Sequence, residues 1–451
     1  MKEKRGSFGS RMGVILASAG SAVGLGNVWR FPTEAGRNGG AAFILVYLLM
    51  VLLMAMPVMV GEFVVGKASH ANAIQSFRKL GGGRLWQLPG MLGVVGGFMV
   101  LSFYSVVAGW TLASLITSAC TNGPSDDYVA QFNGFISHPW QPVAFLVLFL
   151  IMTHFVVARG VQRGIERFSK LMMPMLLAII VLLMCFSLSM PGALQGIRFL
   201  LQPDFSKITS DVVLSAMGQA FFTLSVGICC LATYASYFKS DVPLIKSALN
   251  VCALDTLVAL MSGFIIFPAI FSVPGVEVDA GPGLVFITLP YVLDYSLAGM
   301  PVLRYVFSTL FYALLFLAAL TSSISMHEIN TAYISESRGV SRRKAACVVT
   351  AVCTLFGIAC SLSFGPARDI TLFGMGCFDL FDYATAKYIM PLGGLLITLF
   401  VGWRMSREQV LDELTNGGTL SPLAARIVLF LIRWIAPVGV AIVFVNELWP
   451  R

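Results

Sequence analysis

A polar interruption lies inside the first long apolar segment of this 451-residue chain. Residues 20–32 (GSAVGLGNVWRFP) contain three glycines within seven positions, and each glycine costs a helix about 1 kcal/mol relative to alanine. The glycines alone would suit close packing of another helix equally well. Asn27 and Arg30 follow them directly, however, and a broken backbone in lipid needs protein or a polar cavity around it. The stretch therefore predicts an unwound helix that binds a ligand.

A lone carboxylate and a group of hydroxyls lie inside later apolar segments. Asp255 is the only charge in its run, and because inserting such a charge costs about 2.5–3.5 kcal/mol it needs a partner, naturally a cation. Residues 318–326 (AALTSSISM) contain four hydroxyl side chains. Clustered hydroxyls in a helix either bond back to their own carbonyls or bind an ion, and the sequence leaves both open.

The pattern of histidines and cysteines gives little support for catalysis or for a metal site built from these residues. The four histidines, at positions 70, 138, 154 and 327, are scattered, and the nine cysteines lie nearly all in apolar segments. Neither a nucleophile–base pair nor a metal-ligating cluster follows from this spacing, so the sequence does not predict an enzyme.

The composition places these residues in a polytopic membrane protein. Hydrophobic residues make up 57% of the chain and charged residues only 12%, with a mean hydropathy of +0.84. Such values exclude an ordinary soluble domain. Segments long enough to span a bilayer recur eleven times. They cover about residues 12–36, 41–66, 88–119, 142–158, 171–189, 212–237, 247–274, 301–333, 345–362, 371–402 and 424–447.

Lysine and arginine are concentrated in alternate connections between these spans, twenty-one against four. By the positive-inside rule the N-terminus is predicted in the cytoplasm, and eleven spans place the C-terminus outside. The net charge of +8 is explained by this bias, so no nucleic-acid partner is predicted. Lys387 and Arg433 lie within spans 10 and 11, and the sequence does not indicate what they face.

A second interrupted segment, residues 218–228 (GQAFFTLSVGI), lies five spans after the first. Broken helices at matching positions of two halves are typical of inverted-repeat transporters with a central site. We therefore expect a core over residues 1–402, with repeats at about 11–189 and 212–402. Residues 403–451 then supply a cytoplasmic linker and the eleventh helix. Gly164 and Pro174 would allow the cytoplasmic end of the fifth helix to unwind.

Residues 20–32, 219–237 and 320–324 together resemble the neurotransmitter:sodium symporters, most of all bacterial amino-acid transporters of the LeuT and MhsT type. The likeness runs from about residue 5 to 402. It implies an all-α polytopic membrane protein with the LeuT fold: a 5+5 inverted repeat with an eleventh helix, and helices 1 and 6 broken at the midplane. It also implies sodium-coupled import of amino acids by alternating access, in a bacterial inner membrane.

The resemblance assigns roles residue by residue. The substrate site would comprise Ser21, Ala22, Leu25, Gly26, Val100, Tyr104, Phe222, Thr223, Ser225, Ile228, Ser322 and Met326. The first sodium ion would be bound by Ala22, Asn27, Thr223 and Asp255, and the second by Gly20, Val23, Ala318, Thr321 and Ser322. Arg30 with Asp382 would form the outer gate, and Arg5 with Glu336 the inner one. Phe8 stands where members usually have tryptophan, which keeps an aromatic plug without an indole donor.

Asp255 departs from many members of the family, which have asparagine there. A later position that often helps to hold chloride is Ala259. A fixed carboxylate beside the first sodium ion can balance its charge, so we expect transport without chloride. Tyr47, Gln219 and Thr223 would then bind no halide.

Gly24 indicates the class of substrate. Monoamine carriers of the family place an acidic residue there, and glycine leaves that space to the carboxylate of an α-amino acid. No charged residue is expected around the part of the pocket that receives the substrate's side chain. The substrate's side chain should therefore be neutral, either apolar or aromatic. A transport-silent amino-acid sensor on the same fold is the alternative, although a sensor need not retain both ion sites. The oligomeric state stays open.

Overall fold

The fold is built almost wholly from membrane-length helices. The computed structural model describes residues 6–81, 83–120, 127–276 and 282–448, whose regular elements are all helical apart from one isolated bridge between Leu372 and Met375. Eight unbroken helices precede the last one: α2 (Ala41–Ser69), α3 (Arg84–Cys120), α4 (Gln141–Ala158), α5 (Val161–Ser187), α7 (Leu244–Ile270), α8 (Pro301–Arg338), α9 (Arg342–Leu362) and α10 (Cys377–Arg404). The last is α11 (Pro422–Asn446). By length and apolar composition, these nine described helices can each cross a membrane.

The first helix is broken where the glycines predict. Its first half, α1a (Arg11–Ala22), is capped by Ser10, whose hydroxyl accepts the Gly13 N–H at 3.0 Å. The second half, α1b (Gly26–Arg37), starts with a π-helical turn and is bent by 57° from α1a. The break leaves the last carbonyls of α1a without helical partners, so they are available to other donors or to ions.

The sixth helix is also broken, over a longer stretch. Its halves are α6a (Ser210–Thr223) and α6b (Cys230–Ala235). The six residues between them include Gly227 at φ +94°, where a side chain would also collide with the Met390 carbonyl oxygen. This position therefore requires glycine.

Glu62 of α2 supports this irregular backbone. Its fully buried carboxylate accepts the N–H of Gly227 at 2.7 Å and that of Ala232 at 3.0 Å. Because buried N–H groups without acceptors are costly, Glu62 stabilises the break from a different helix.

The fifth helix differs from the sequence prediction. It begins at Val161 rather than near residue 171, with a π-helical turn over Val161–Glu166, and it is helical from Gly164 to Pro174. The charged residues of this first turn hid it from a hydropathy criterion. Glu166 is nevertheless buried, because Gly9 N–H donates to its carboxylate at 2.6 Å and the Ser10 hydroxyl at 3.0 Å. The tenth span likewise begins at Cys377 rather than at residue 371.

The two broken helices lie within a shell of unbroken ones. The half-helix α1a packs against α5, α7 and α8, and α6b packs against α2 and α8. The most extensive packing between two helices of the described chain joins α3 to α8. This arrangement brings the two breaks beside the middle of α3 and α8.

Candidate functional site

A cavity of about 550 Å³ lies beside the breaks in α1 and α6. Its inner part is lined by Ala22, Leu25, Gly26, Val100, Tyr104, Phe222, Thr223, Ser225, Ile228, Ser322 and Met326. These are eleven of the twelve residues that the sequence indicated for the substrate. Ser21 lies behind the lining, where its carbonyl accepts the Ser225 hydroxyl at 3.4 Å.

One end of the inner cavity is polar. The backbone N–H of Leu25 donates to the Tyr104 hydroxyl at 3.2 Å, at the start of α1b. The N-terminal end of a helix carries partial positive charge and free N–H groups, which favour an anion. A Cβ atom at Gly24 would lie 2.7 Å from Ser322 Oγ and 3.1 Å from Tyr104 Oη. Only glycine therefore leaves this end open.

The opposite end of the inner cavity is apolar. Val100, Ile228 and Met326 line it and are themselves almost fully buried, at 8%, 1% and 5% exposure. This end can accept an uncharged hydrocarbon or aromatic group, since an unpaired charge there would lose its hydration.

Phe222 separates the inner cavity from a charged outer part. The Arg30 guanidinium carbon lies 4.1 Å from the Phe222 ring centroid, a cation–π contact. Asp382 lines the same outer part, close enough for its charge to interact with that of Arg30. The sequence did not reveal the other charged residues there, which are Glu34, Arg37, Asp379 and Lys387. Lys387 Nζ lies 5.0 Å from the Tyr383 ring centroid.

The predicted first ion site is a buried network of three side chains, which we call the Asp255 cluster (Asn27, Thr223 and Asp255). Asn27 Nδ2 donates to Asp255 Oδ1 at 2.8 Å and to Thr223 Oγ1 at 3.0 Å. The Thr223 hydroxyl donates to Asp255 Oδ2 at 3.0 Å. Asn27 Oδ1 accepts the Gly24 N–H at 2.9 Å, which ties the cluster to the break. Carboxylate, amide and hydroxyl oxygens suit a hard cation.

The predicted second ion site, which we call the Ser322 cluster, joins α1a and α8 through Gly20, Val23, Ala318, Thr321 and Ser322. The Ser322 hydroxyl donates to the Val23 carbonyl at 2.9 Å and lies 3.4 Å from the Gly20 carbonyl. The Thr321 hydroxyl lies 3.0 Å from the Ala318 carbonyl. This donor set contains only neutral oxygens.

Two polar side chains near the Asp255 cluster lack partners. The Tyr47 hydroxyl and both amide atoms of Gln219 are buried and form no hydrogen bond within the described part of the chain. The Tyr47 hydroxyl and the Gln219 Nε2 atom are donors that an anion could use. A halide there would, however, lie near the Asp255 carboxylate, and like charges repel in a medium of low dielectric constant.

Phe8, which precedes α1a, packs against α6b on the side of the breaks opposite the cavity. Its ring is 1% exposed and packs against Tyr234 at a centroid distance of 6.0 Å, and its N–H donates to the Tyr237 carbonyl at 3.1 Å. Glu336 accepts the Asn72 N–H at 3.0 Å. Arg5, its predicted gating partner, lies outside the described residues. Gly164 and Pro174 lie in α5, away from the cavity lining.

Comparisons with known proteins agree with this architecture. The model of the Sodium:neurotransmitter symporter family matches residues 5–134 and 126–450. A sodium-dependent transporter of Bacillus subtilis (strain 168) is 40% identical over 453 residues, covering 99% of this chain and 98% of that protein. One from Methanocaldococcus jannaschii is 32% identical over 459 residues, covering 95% and 90%. The crystal structure of MhsT in complex with L-phenylalanine has a TM-score of 0.89 and 40% identity, covering 98% of this chain and all of that one. The predicted LeuT fold is thereby confirmed.

Proposed function

Because this chain belongs to the sodium:neurotransmitter symporter family, we propose that it imports neutral hydrophobic or aromatic L-amino acids together with two sodium ions. The observation that carries the proposal is one cavity with a polar and an apolar end, beside which two oxygen-lined clusters tie the broken helix α1 to its neighbours. The sodium dependence named for the relatives and the L-phenylalanine bound to MhsT support the same coupling and substrate class.

The polar end of the cavity supports recognition of an α-amino acid. Its carboxylate would take hydrogen bonds from the N–H groups of Leu25 and Gly26 and from the Tyr104 hydroxyl. Its amino group would lie against carbonyls around Ala22 and Phe222. The lack of space for a side chain at Gly24 supports a substrate that brings its own carboxylate.

Shared residues supply the coupling between substrate and sodium. Ala22 and Thr223 line the cavity and also belong to the predicted first sodium site. A substrate carboxylate bound there would complete the coordination of the first sodium ion, so each would raise the affinity for the other. The second ion would bridge α1a and α8 and hold them in the conformation that binds substrate.

We propose that chloride takes no part in transport. The Asp255 carboxylate is fully buried and is held in place by Asn27 and Thr223. It would balance the charge of the first sodium ion without an anion, even though Tyr47 and Gln219 are buried donors with no hydrogen-bond partner among the described residues.

Alternating access is proposed from the asymmetry of the two sides. The cavity extends from the breaks toward Arg30 and Asp382, while Phe8 fills the opposite side. The charge bias of the loops supports a bacterial inner-membrane protein with its N-terminus in the cytoplasm and the Arg30 side facing outward. Release inward would require Phe8 to leave and α5 to unwind between Gly164 and Pro174.

The test is uptake of radiolabelled neutral L-amino acids into proteoliposomes, with sodium or potassium outside and with chloride or gluconate as the anion. Sodium-dependent accumulation that is equal in chloride and gluconate is expected. Sodium-dependent binding without accumulation would instead indicate a sensor. Binding indifferent to sodium would overturn both ion sites, and loss of uptake in gluconate would overturn chloride independence alone.

A further inference from the structure

An arginine and two tryptophans meet on the outer surface of the helical bundle, far from the cavity. We call Arg433, Trp403 and Trp434 the Arg433 cluster. The Arg433 guanidinium carbon lies 4.4 Å from the Trp403 ring centroid and 5.9 Å from that of Trp434. The two indoles pack edge to face, with ring centroids 4.6 Å apart.

The backbone is shaped to form this cluster. Trp403 lies in a π-helical turn of α10 (Phe400–Arg404) and Arg433 in a π-helical turn of α11 (Leu431–Ile435). The Trp403 indole N–H donates to the Arg433 carbonyl at 3.1 Å, which fixes the ring beneath the guanidinium. A Cβ atom at Gly402 would lie 3.0 Å from Arg433 Cα, so glycine permits the close approach of the helices. Single π-helical turns of this kind are frequent at functional sites.

The charge of Arg433 is left without an acceptor by the described part of the chain. Its guanidinium takes part in no ion pair there, and its Nε atom is buried without a hydrogen-bond partner. A cation–π contact uses the face of the guanidinium and leaves its in-plane N–H donors free. An arginine in a membrane-spanning helix normally has a partner, and the described residues supply none for Arg433.

The residues around the Arg433 cluster indicate that it faces the lipid bilayer. Trp403 and Trp434 are 49% and 48% exposed, and the neighbouring exposed side chains of α11 are apolar, among them Phe430 and Val438. Trp403 is also the second-last residue of α10, and the polar helix Arg407–Thr415 follows shortly after it. Tryptophans at the end of a membrane-spanning helix lie at the level of the lipid headgroups.

Further positive charge favours an anionic headgroup. Arg426 is exposed and precedes Arg433 by seven residues, which places the two on nearly the same face of α11. Arg404, next to Trp403, is exposed as well. Clusters of basic residues at the cytoplasmic surface attract anionic lipids, and the arginine fork matches the geometry of a phosphate.

We propose that the Arg433 cluster is a binding site for the phosphate headgroup of an anionic phospholipid. The guanidinium hydrogen-bonds the phosphate oxygens in its plane, the two indoles hold its face, and the acyl chains lie along the apolar surface of α11. This site is separate from the substrate cavity, so its test does not depend on the proposed transport function.

The experiment is native mass spectrometry of the full-length protein with phosphatidylglycerol or phosphatidylcholine of the same acyl chains. We expect the unmodified protein to retain about ten times more phosphatidylglycerol than phosphatidylcholine, since tenfold is the scale of one modest charge-assisted contact. Arg433→Gln should lower this to the phosphatidylcholine level. Arg407→Gln, which removes an exposed arginine on the neighbouring polar helix, should leave it unchanged.

Three results would overturn the proposal. Equal retention of both lipids by the unmodified protein is one, and an unchanged lipid preference in folded Arg433→Gln is another. The third is displacement of phosphatidylglycerol by millimolar inorganic phosphate, which would assign the site to free phosphate. If Arg433→Gln instead dissociates a dimer without changing lipid retention, the occupant is a second copy of the chain and the lipid site is wrong.

A measurement on the unmodified protein covers the case in which Arg433→Gln fails to fold. In proteoliposomes, phosphatidylglycerol with brominated acyl chains should quench tryptophan fluorescence more than equally brominated phosphatidylcholine, because it concentrates at Trp403 and Trp434. Equal quenching by the two lipids would contradict the proposal.

Discussion

The two predicted sodium sites differ in the chemistry of the oxygen ligands that they offer. The Asp255 cluster contains a buried carboxylate that two other side chains hold in place. The Ser322 cluster contains only carbonyl and hydroxyl oxygens from α1a and α8. Both clusters border the cavity, the first through Thr223 and the second through Ser322, but only the Asp255 cluster carries a charge. Substitutions at the first should act through charge, and those at the second through the loss of single neutral ligands.

The largest effect is expected from Asp255→Asn, which removes the buried charge and keeps the side-chain shape. Contacts to a charged group contribute about 1.5–3 kcal/mol each, so in gluconate we expect uptake to fall about 100-fold. Chloride should restore part of it by supplying the missing negative charge. Asp204→Asn, on an exposed loop, is the control. Unchanged uptake in gluconate would contradict the charge-balancing role.

Tyr104→Phe tests the proposed recognition of the substrate carboxylate at the polar end of the cavity. It removes the hydroxyl at the polar end of the cavity and leaves the hydrogen bonds among Asn27, Thr223 and Asp255 in place. One neutral hydrogen bond contributes about 1 kcal/mol, so we expect KM for the amino acid to rise about fivefold to tenfold with little change in kcat. The concentration dependence of initial uptake measures both values. An unchanged KM would place the carboxylate elsewhere.

Thr321→Ala tests the Ser322 cluster, whose oxygen atoms are all neutral. Because it removes one hydroxyl ligand, we expect the sodium concentration for half-maximal uptake to rise about fivefold, at the scale of about 1 kcal/mol. Ser323→Ala is a matched control on the same helix. The Ser323 hydroxyl bonds back to Ala319, as the Thr321 hydroxyl does to Leu317 and Ala318, but Ser323 lies outside the Ser322 cluster. Equal shifts in the two variants would mean that hydroxyl loss acts through the helix rather than through the ion.

The smallest effect is expected from Pro174→Ala in α5. The Ser322 cluster adjoins this helix, since a Cβ atom at Gly20 would lie 3.5 Å from Met173 Sδ. Proline weakens a helix interior, so alanine should hinder unwinding and slow turnover about threefold, which corresponds to about 0.7 kcal/mol. Pro268→Ala, inside α7, is the matched control.

Sodium affinity should stay unchanged in Pro174→Ala, because the residue supplies no ligand. The rate of uptake at saturating substrate measures turnover, and the sodium titration measures affinity. A faster or unaltered turnover would contradict the role of unwinding.

Local sequence determined the breaks. Glycines and polar residues at 20–27 and at 218–228 oppose a continuous apolar helix wherever they lie, so both interruptions were predictable. The lone Asp255 likewise indicated that a partner is needed, for which we expected a cation, because a solitary carboxylate in an apolar run is costly in any fold. The identity of Asn27 and Thr223 as its partners came from the family resemblance and not from spacing.

Tertiary structure decided what depends on contacts between distant residues. Glu62 stabilises the α6 break from 165 positions away. Glu166 pairs locally with Lys170, but it also accepts hydrogen bonds from Gly9 and Ser10 across 157 and 156 positions. The cation–π environment of Arg433 likewise needs Trp403 from the preceding helix. Residue type and spacing report the cost of placing a group in lipid, and only the folded chain determines which group offsets that cost.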